Sequence, residues 1–91
     1  MKETEIIRVR YWAAAKAAAG TPEDLVEVSG PVPLGEVMRE VVARHPGTRL
    51  PEVIASCSVL LGDQPVGRED PESVLVRPGT SVEFLPPFAG G

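Results

Sequence analysis

A single cysteine, Cys57, leaves this chain no internal disulfide. It also has no second cysteine at metal-ligand spacing, so no metal site is expected. The flanking Ala55-Ser56 and Ser58-Val59 make it a small buried hydrophobe, a setting that fits a reducing, cytoplasmic compartment. An excess of base is also missing. Thirteen acids against nine bases give a net charge of −4, the wrong sign for a face that grips phosphates, so no nucleic-acid partner is expected. The same balance suits docking onto a basic protein surface. No apolar run approaches the length of a membrane span. The acidic start, Met1-Lys2-Glu3-Thr4-Glu5, leads into a strand pattern and lacks the basic and apolar regions of a signal peptide. There is no Ser-His-Asp set, no recognisable carboxylate pair, no phosphate-cradling glycine loop and no internal repeat. The only histidine, His45, falls at a helix end, where the helix dipole favours it.

The 91 residues form one domain of ordinary soluble composition. A domain of that size buries about 60–65% of its unfolded surface, enough for a modest core. Ile6 to Tyr11 alternates, with Ile7, Val9 and Tyr11 on one face and Arg8 and Arg10 on the other, as in a half-buried strand. Trp12 falls on the arginine face and is a candidate contact residue. Ala13 to Ala19 reads as a short helix stopped by Gly20. Asp24 to Val28 is a second strand, with Val26 and Val28 inward. Leu34, Val37, Met38, Val41 and Val42 keep the i, i+3, i+4, i+7, i+8 spacing of an amphipathic helix, with Pro33 suited to its first turn and Pro46-Gly47 ending it.

Beyond that helix, Pro51 to Ala55 is a helical turn and Ser58 to Leu61 a strand. Gly62-Asp63-Gln64 turns into a short return at Pro65-Val66, and Gly67 to Ser73 reads as a loop. After the apolar Val74-Leu75-Val76, Arg77-Pro78-Gly79-Thr80 has the chemistry of a type II turn. In the last strand, Ser81 to Leu85, Val82 and Phe84 point to the core and Glu83 and Leu85 outward. The order predicts an α+β fold, a ubiquitin-like β-grasp: a mixed sheet covered by one main helix, with the last strand beside the first. Residues 1–85 form this domain and 86–91 a tail.

That tail, Pro86-Pro87-Phe88-Ala89-Gly90-Gly91, is the most informative stretch. The prolines make a stiff stem. Two glycines make a tip without side chains, thin enough for a narrow slot, ending in a main-chain carboxylate. Such a shape suits a carboxylate presented as a substrate to another enzyme's active site, the plain alternative being a frayed, glycine-rich terminus.

The stretch Val9-Arg10-Tyr11-Trp12-Ala13-Ala14-Ala15-Lys16 with Ala19-Gly20, and the ending Val82-Glu83-Phe84-Leu85-Pro86-Pro87-Phe88-Ala89-Gly90-Gly91, resemble the sulfur carriers of the MoaD/ThiS group, in particular the small subunits of molybdopterin synthase. The resemblance runs through the whole chain, and the Pro-Pro-x-Ala-Gly-Gly ending is its specific part. It implies that Gly91, preceded by Gly90, is adenylated by ATP in an E1-like adenylating enzyme. A persulfide sulfur donor then converts it to a thiocarboxylate. The tail next enters the large subunit of molybdopterin synthase, in an assembly of two small and two large subunits. There it gives sulfur to cyclic pyranopterin monophosphate on the route to the molybdenum cofactor.

The chain itself then binds no cofactor and supplies only the reactive group, acid–base chemistry lying on its partners. Pro86, Pro87, Phe88 and Ala89 form the stem, and Leu85, Phe88 and Trp12 a docking patch around it. Glu83, Asp63 and Glu69 are acids available to a basic partner. A related carrier for thiamin, cysteine or tRNA thiolation, a ubiquitin-like modifier of lysines, and a plain interaction domain are the alternatives.

Overall fold

The computed structural model describes residues 4–87. Phe88, Ala89, Gly90 and Gly91 lie outside them. Strand β1 (Glu5–Tyr11) buries Ile7, Val9 and Tyr11 as its alternation requires. Helix α1 (Ala13–Ala19) stops at Gly20, which takes φ +76° and donates its N–H to the Lys16 carbonyl. Strand β2 (Glu23–Val28) returns antiparallel to β1, with Ile7 opposite Val26. Val26 is buried, whereas Val28 is half-buried against the core's rim.

Strand β3 (Val32–Pro33) leads into α2 (Leu34–Arg44). Pro33 therefore sits just before the helix in an extended conformation, one residue earlier than the first-turn position expected. Leu34, Val37 and Val41 are buried, and Met38 and Val42 pack beside them. The helix ends at Arg44, and His45 caps it by donating its N–H to the Val42 carbonyl (3.2 Å).

Helix α3 (Leu50–Ala55), β4 (Ser58–Leu61) and β5 (Gln64–Pro65) follow. A 3-10 turn at Pro71–Ser73 interrupts the segment read as loop, and β6 (Leu75–Val76) pairs with β3 in a small second sheet. The turn leans on α2, where the Glu72 carboxylate lies over Gly35 and binds Arg39. A Cβ at Gly35 would meet that carboxylate, so the Glu72 side chain would have to swing aside for any larger residue there.

Gly79 takes φ +87° in the turn before β7 (Ser81–Leu85), and the Thr80 N–H closes it onto the Arg77 carbonyl (3.1 Å), as a type II turn demands. The main sheet runs β2-β1-β7-β4-β5. Its centre is the parallel pair β1–β7, with Val9 opposite Val82 and Tyr11 opposite Phe84. All other pairings are antiparallel. One face of the sheet meets the helices over a core of Ile7, Val9, Tyr11, Val37, Val41 and Phe84 with their neighbours. This is the β-grasp layout, and it makes the last strand a central one.

Candidate functional site

Position in the sheet fixes where the tail leaves. Strand β7 is held on both sides, by β1 and by β4, and its Val82 and Phe84 are fully buried. The chain therefore departs from a rigid base. Leu85 is half-buried, and Pro86 and Pro87 are exposed immediately beyond it.

Trp12 stands next to this exit. Its N–H donates to the Phe84 carbonyl (3.1 Å), which continues the β1–β7 ladder by one residue and ties the start of α1 to the end of β7. Its ring is 40% exposed, as the arginine-face alternation implied. The indole Nε1–H donates to Glu83 Oε1 (2.9 Å), and the Arg10 guanidinium lies 5.1 Å from the ring centroid. The ring is thus held in place while its face stays open, the arrangement of a preorganised contact residue. Ala13, the next residue, has φ +50°, a left-handed conformation costly for any residue with a Cβ. It turns the chain from strand to helix within one residue and so keeps Trp12 beside the stem.

The structure brings Trp12, Leu85, Pro86 and Pro87 to one end of the sheet. The candidates Phe88, Ala89, Gly90 and Gly91 lie outside the described residues. Glu83, expected to be available to a partner, is already engaged by the Trp12 indole. Asp63 and Glu69 are exposed.

Cys57 is half-buried at the core's rim rather than fully enclosed, and burial pushes its thiol above the ordinary range. That direction disfavours the nucleophilic thiolate. Among the described residues no group of three or more His, Cys, Asp or Glu side chains is placed to hold a metal ion, and no helix is long and apolar enough to cross a membrane.

A polar cluster that the pattern did not reveal lies under the C-terminus of α2. Asp24 Oδ2 accepts the Tyr11 hydroxyl (2.7 Å) and lies 2.6 Å from His45 Nε2. The Tyr11 ring meets His45 edge-on and stacks on Phe84, both at 6.2 Å between centroids. Burial first, and the Asp24 hydrogen bond second, raise the Tyr11 phenol above its ordinary range. The signal available in the sequence was parity. Asp24 shares its face of β2 with Val26, so a carboxylate pointing inward needed a buried partner.

A rigid grasp-type sheet, a central last strand and an exposed proline stem together define a ubiquitin-like carrier scaffold. The ThiS family matches residues 9–91, and the chain belongs to it. A molybdopterin synthase sulfur carrier subunit from Aspergillus niger is 29% identical over 91 residues, covering 100% of both chains. One from Chlamydomonas reinhardtii is 28% identical, covering 93% of this chain and 98% of its own. Among solved structures, a putative molybdopterin converting factor subunit 1 from Pyrococcus furiosus superposes with a TM-score of 0.74 at 18% identity, covering 92% of this chain and 99% of its own. A chain in the complex of subunits 1 and 2 of the Helicobacter pylori molybdopterin-converting factor gives 0.62 at 22% identity, over 94% and 99%. These structural likenesses establish the shared fold.

Proposed function

We propose that this chain is the sulfur carrier subunit of a molybdopterin synthase, working through a thiocarboxylate at Gly91. The observation that carries the reading is the end-to-end match to two carriers of that name, on a fold that sets the tail on a central, buried strand. The chemistry asks little of the chain. The Gly91 carboxylate attacks the α-phosphorus of ATP, pyrophosphate leaves, and an acyl-adenylate forms. The terminal sulfur of a persulfide then adds to the carbonyl and expels AMP, and a thiol cleaves the acyl disulfide so formed to release the thiocarboxylate, leaving a new disulfide. Carboxylate is a poor electrophile and AMP a good leaving group, so activation must come first. We assign activation and sulfur loading to an E1-like adenylating enzyme fed by a persulfide donor.

The loaded tail then enters a large-subunit partner and gives its sulfur to the pterin precursor, cyclic pyranopterin monophosphate. Gly90 gives the tip its narrowness and Pro86-Pro87 its reach. Phe88, Ala89, Leu85 and Trp12 form the surface that partners close upon. A heterotetramer of two carriers and two large subunits follows from the same reading.

Intact-mass spectrometry tests it. The protein is incubated with ATP, sulfide and the host's adenylating enzyme, where sulfide attack on the acyl-adenylate yields the thiocarboxylate directly. Replacement of one oxygen by sulfur at Gly91, followed by dithiolene formation on adding the large subunit and precursor, is the expected result. Lysine-linked conjugates in place of the thiocarboxylate would assign the chain to protein modification. A sulfur-loaded carrier that is inert with the large subunit would move it to another thiolation route.

A further inference from the structure

Strand β2 closes one end of the five-stranded sheet, so its outer side has no ladder partner among the described residues. The Tyr11 N–H donates to the Pro22 carbonyl (2.9 Å), and Val9 and Ile7 face Asp24 and Val26. The even-numbered residues of β2 therefore turn their amides toward β1, and Glu23, Leu25 and Glu27 turn theirs outward. Two outward carbonyls are engaged within the chain. That of Leu25 accepts from Arg44 Nη1 (2.7 Å) and that of Glu23 from Thr21 Oγ1 (3.2 Å). The Leu25 and Glu27 N–H groups and the Glu27 carbonyl have no partner among the described residues.

A slot of about 70 Å³ lies beside this free half, between β2 and α2. Val26, Glu27, Val28 and Val32 line it on one side and Val37 with the exposed Glu36 and Glu40 of α2 on the other, so its walls are polar as much as apolar. On the opposite face of the sheet Leu25 is 45% exposed beside the exposed Glu27. Among the described residues neither Glu27 nor Glu36 has a basic partner. Arg44 shows what this edge attracts. Its guanidinium bridges Glu40 (3.1 Å) and the Leu25 carbonyl.

We propose that the Leu25–Glu27 edge of β2 is a docking site for an extended, basic segment of another protein, which adds to the sheet as a further strand. The main chain pairs with the free amides, a small side chain enters the slot, and flanking lysines or arginines meet Glu27 and Glu36. Antiparallel β2–β2 pairing of two copies centred on Leu25 would set Glu23 against Glu27, which disfavours that register. Leu25 and Glu27 pair with Arg8 and Ile6 of β1, back from the Trp12 end of that strand. The stem therefore stays free while the edge is occupied, and the inference does not depend on the chemistry at Gly91.

The test uses 15N-labelled full-length protein and the capped heptapeptide Lys-Arg-Val-Thr-Val-Lys-Arg. Binding should slow amide exchange at Leu25 and Glu27 by about tenfold or more, shift resonances of Glu36 to Glu40, and weaken as salt rises from about 0.05 M to about 0.5 M. A peptide with Glu in place of the four basic residues should not bind. The double variant Glu27→Lys, Glu36→Lys, with both positions exposed, should keep its melting temperature and lose about tenfold or more in affinity. Unprotected Leu25 and Glu27 amides at millimolar peptide, or full affinity in the double variant, would overturn the proposal. So would a peptide-free dimer paired through β2, which would assign the edge to a second copy.

Discussion

Trp12 is held by three contacts that serve different ends. Its amide extends the sheet, its indole N–H occupies Glu83, and Arg10 covers part of one face. Truncation should therefore separate binding from folding. Trp12→Ala should weaken association with the large subunit and the adenylating enzyme by about 1–2 kcal/mol or more, with a smaller change in unfolding free energy. Titration calorimetry beside thermal melts checks this, and unchanged affinity for both partners would remove Trp12 from the contact surface. Tyr11 acts oppositely, inside the core. Its phenol is raised above the ordinary value of about 10, so the folded chain retains a proton that the unfolded chain releases. The stability linked to it is whole below about pH 10 and is lost as pH rises from there toward the folded value. Denaturant midpoints should fall steeply above about pH 10 in the native protein and less steeply in Tyr11→Phe. At neutral pH that variant should lose about 1 kcal/mol with the Asp24 hydrogen bond.

At the scale of elements, β7 carries the most. Phe84 is fully buried, stacks on Tyr11, and sits in the strand between β1 and β4. Phe84→Ala should cost about 3–5 kcal/mol, much of the stability of a small domain, and circular dichroism with urea titration should show a partly or wholly unfolded protein. Alternation and helical spacing made most elements legible: β1, α1, β2, α2, α3, β4 and β7 fall where the pattern of apolar residues sets them. The Gly62-Asp63-Gln64 turn marked β5, which begins one residue earlier than read, and the remaining elements depended on partners remote in sequence. Two-residue β3 and β6 exist because each satisfies the other's backbone, and no local pattern marks so short a pair. The 3-10 turn at Pro71–Ser73 is held by Asp70, whose side chain accepts the Glu72 N–H (3.0 Å), and by Glu72 reaching Arg39. At the site, the exposure of Trp12 was readable from its face. The engagement of Glu83 was not, because 71 residues separate it from Trp12.

Taken whole, the described residues form a rigid body that ends at the base of the tail. On the proposed reading Gly91 is the sulfur acceptor, and a chain terminus contributes little to stability, so its deletion should leave the melting temperature unchanged while sulfur acceptance disappears. A melting shift of more than a few degrees would show instead that the tail supports the fold. The parallel β1–β7 pair has a consequence for how the protein is born. Ribosomes deliver β1 first and, of the described strands, β7 last, yet these two are neighbours at the sheet's centre. A nascent chain holding everything up to β6 has two half-sheets and nothing to join them, so folding must wait for the final strand. A chain broken off before Ser81 then never folds and is left to proteolysis. Each carrier that does fold has been translated at least to the base of its tail.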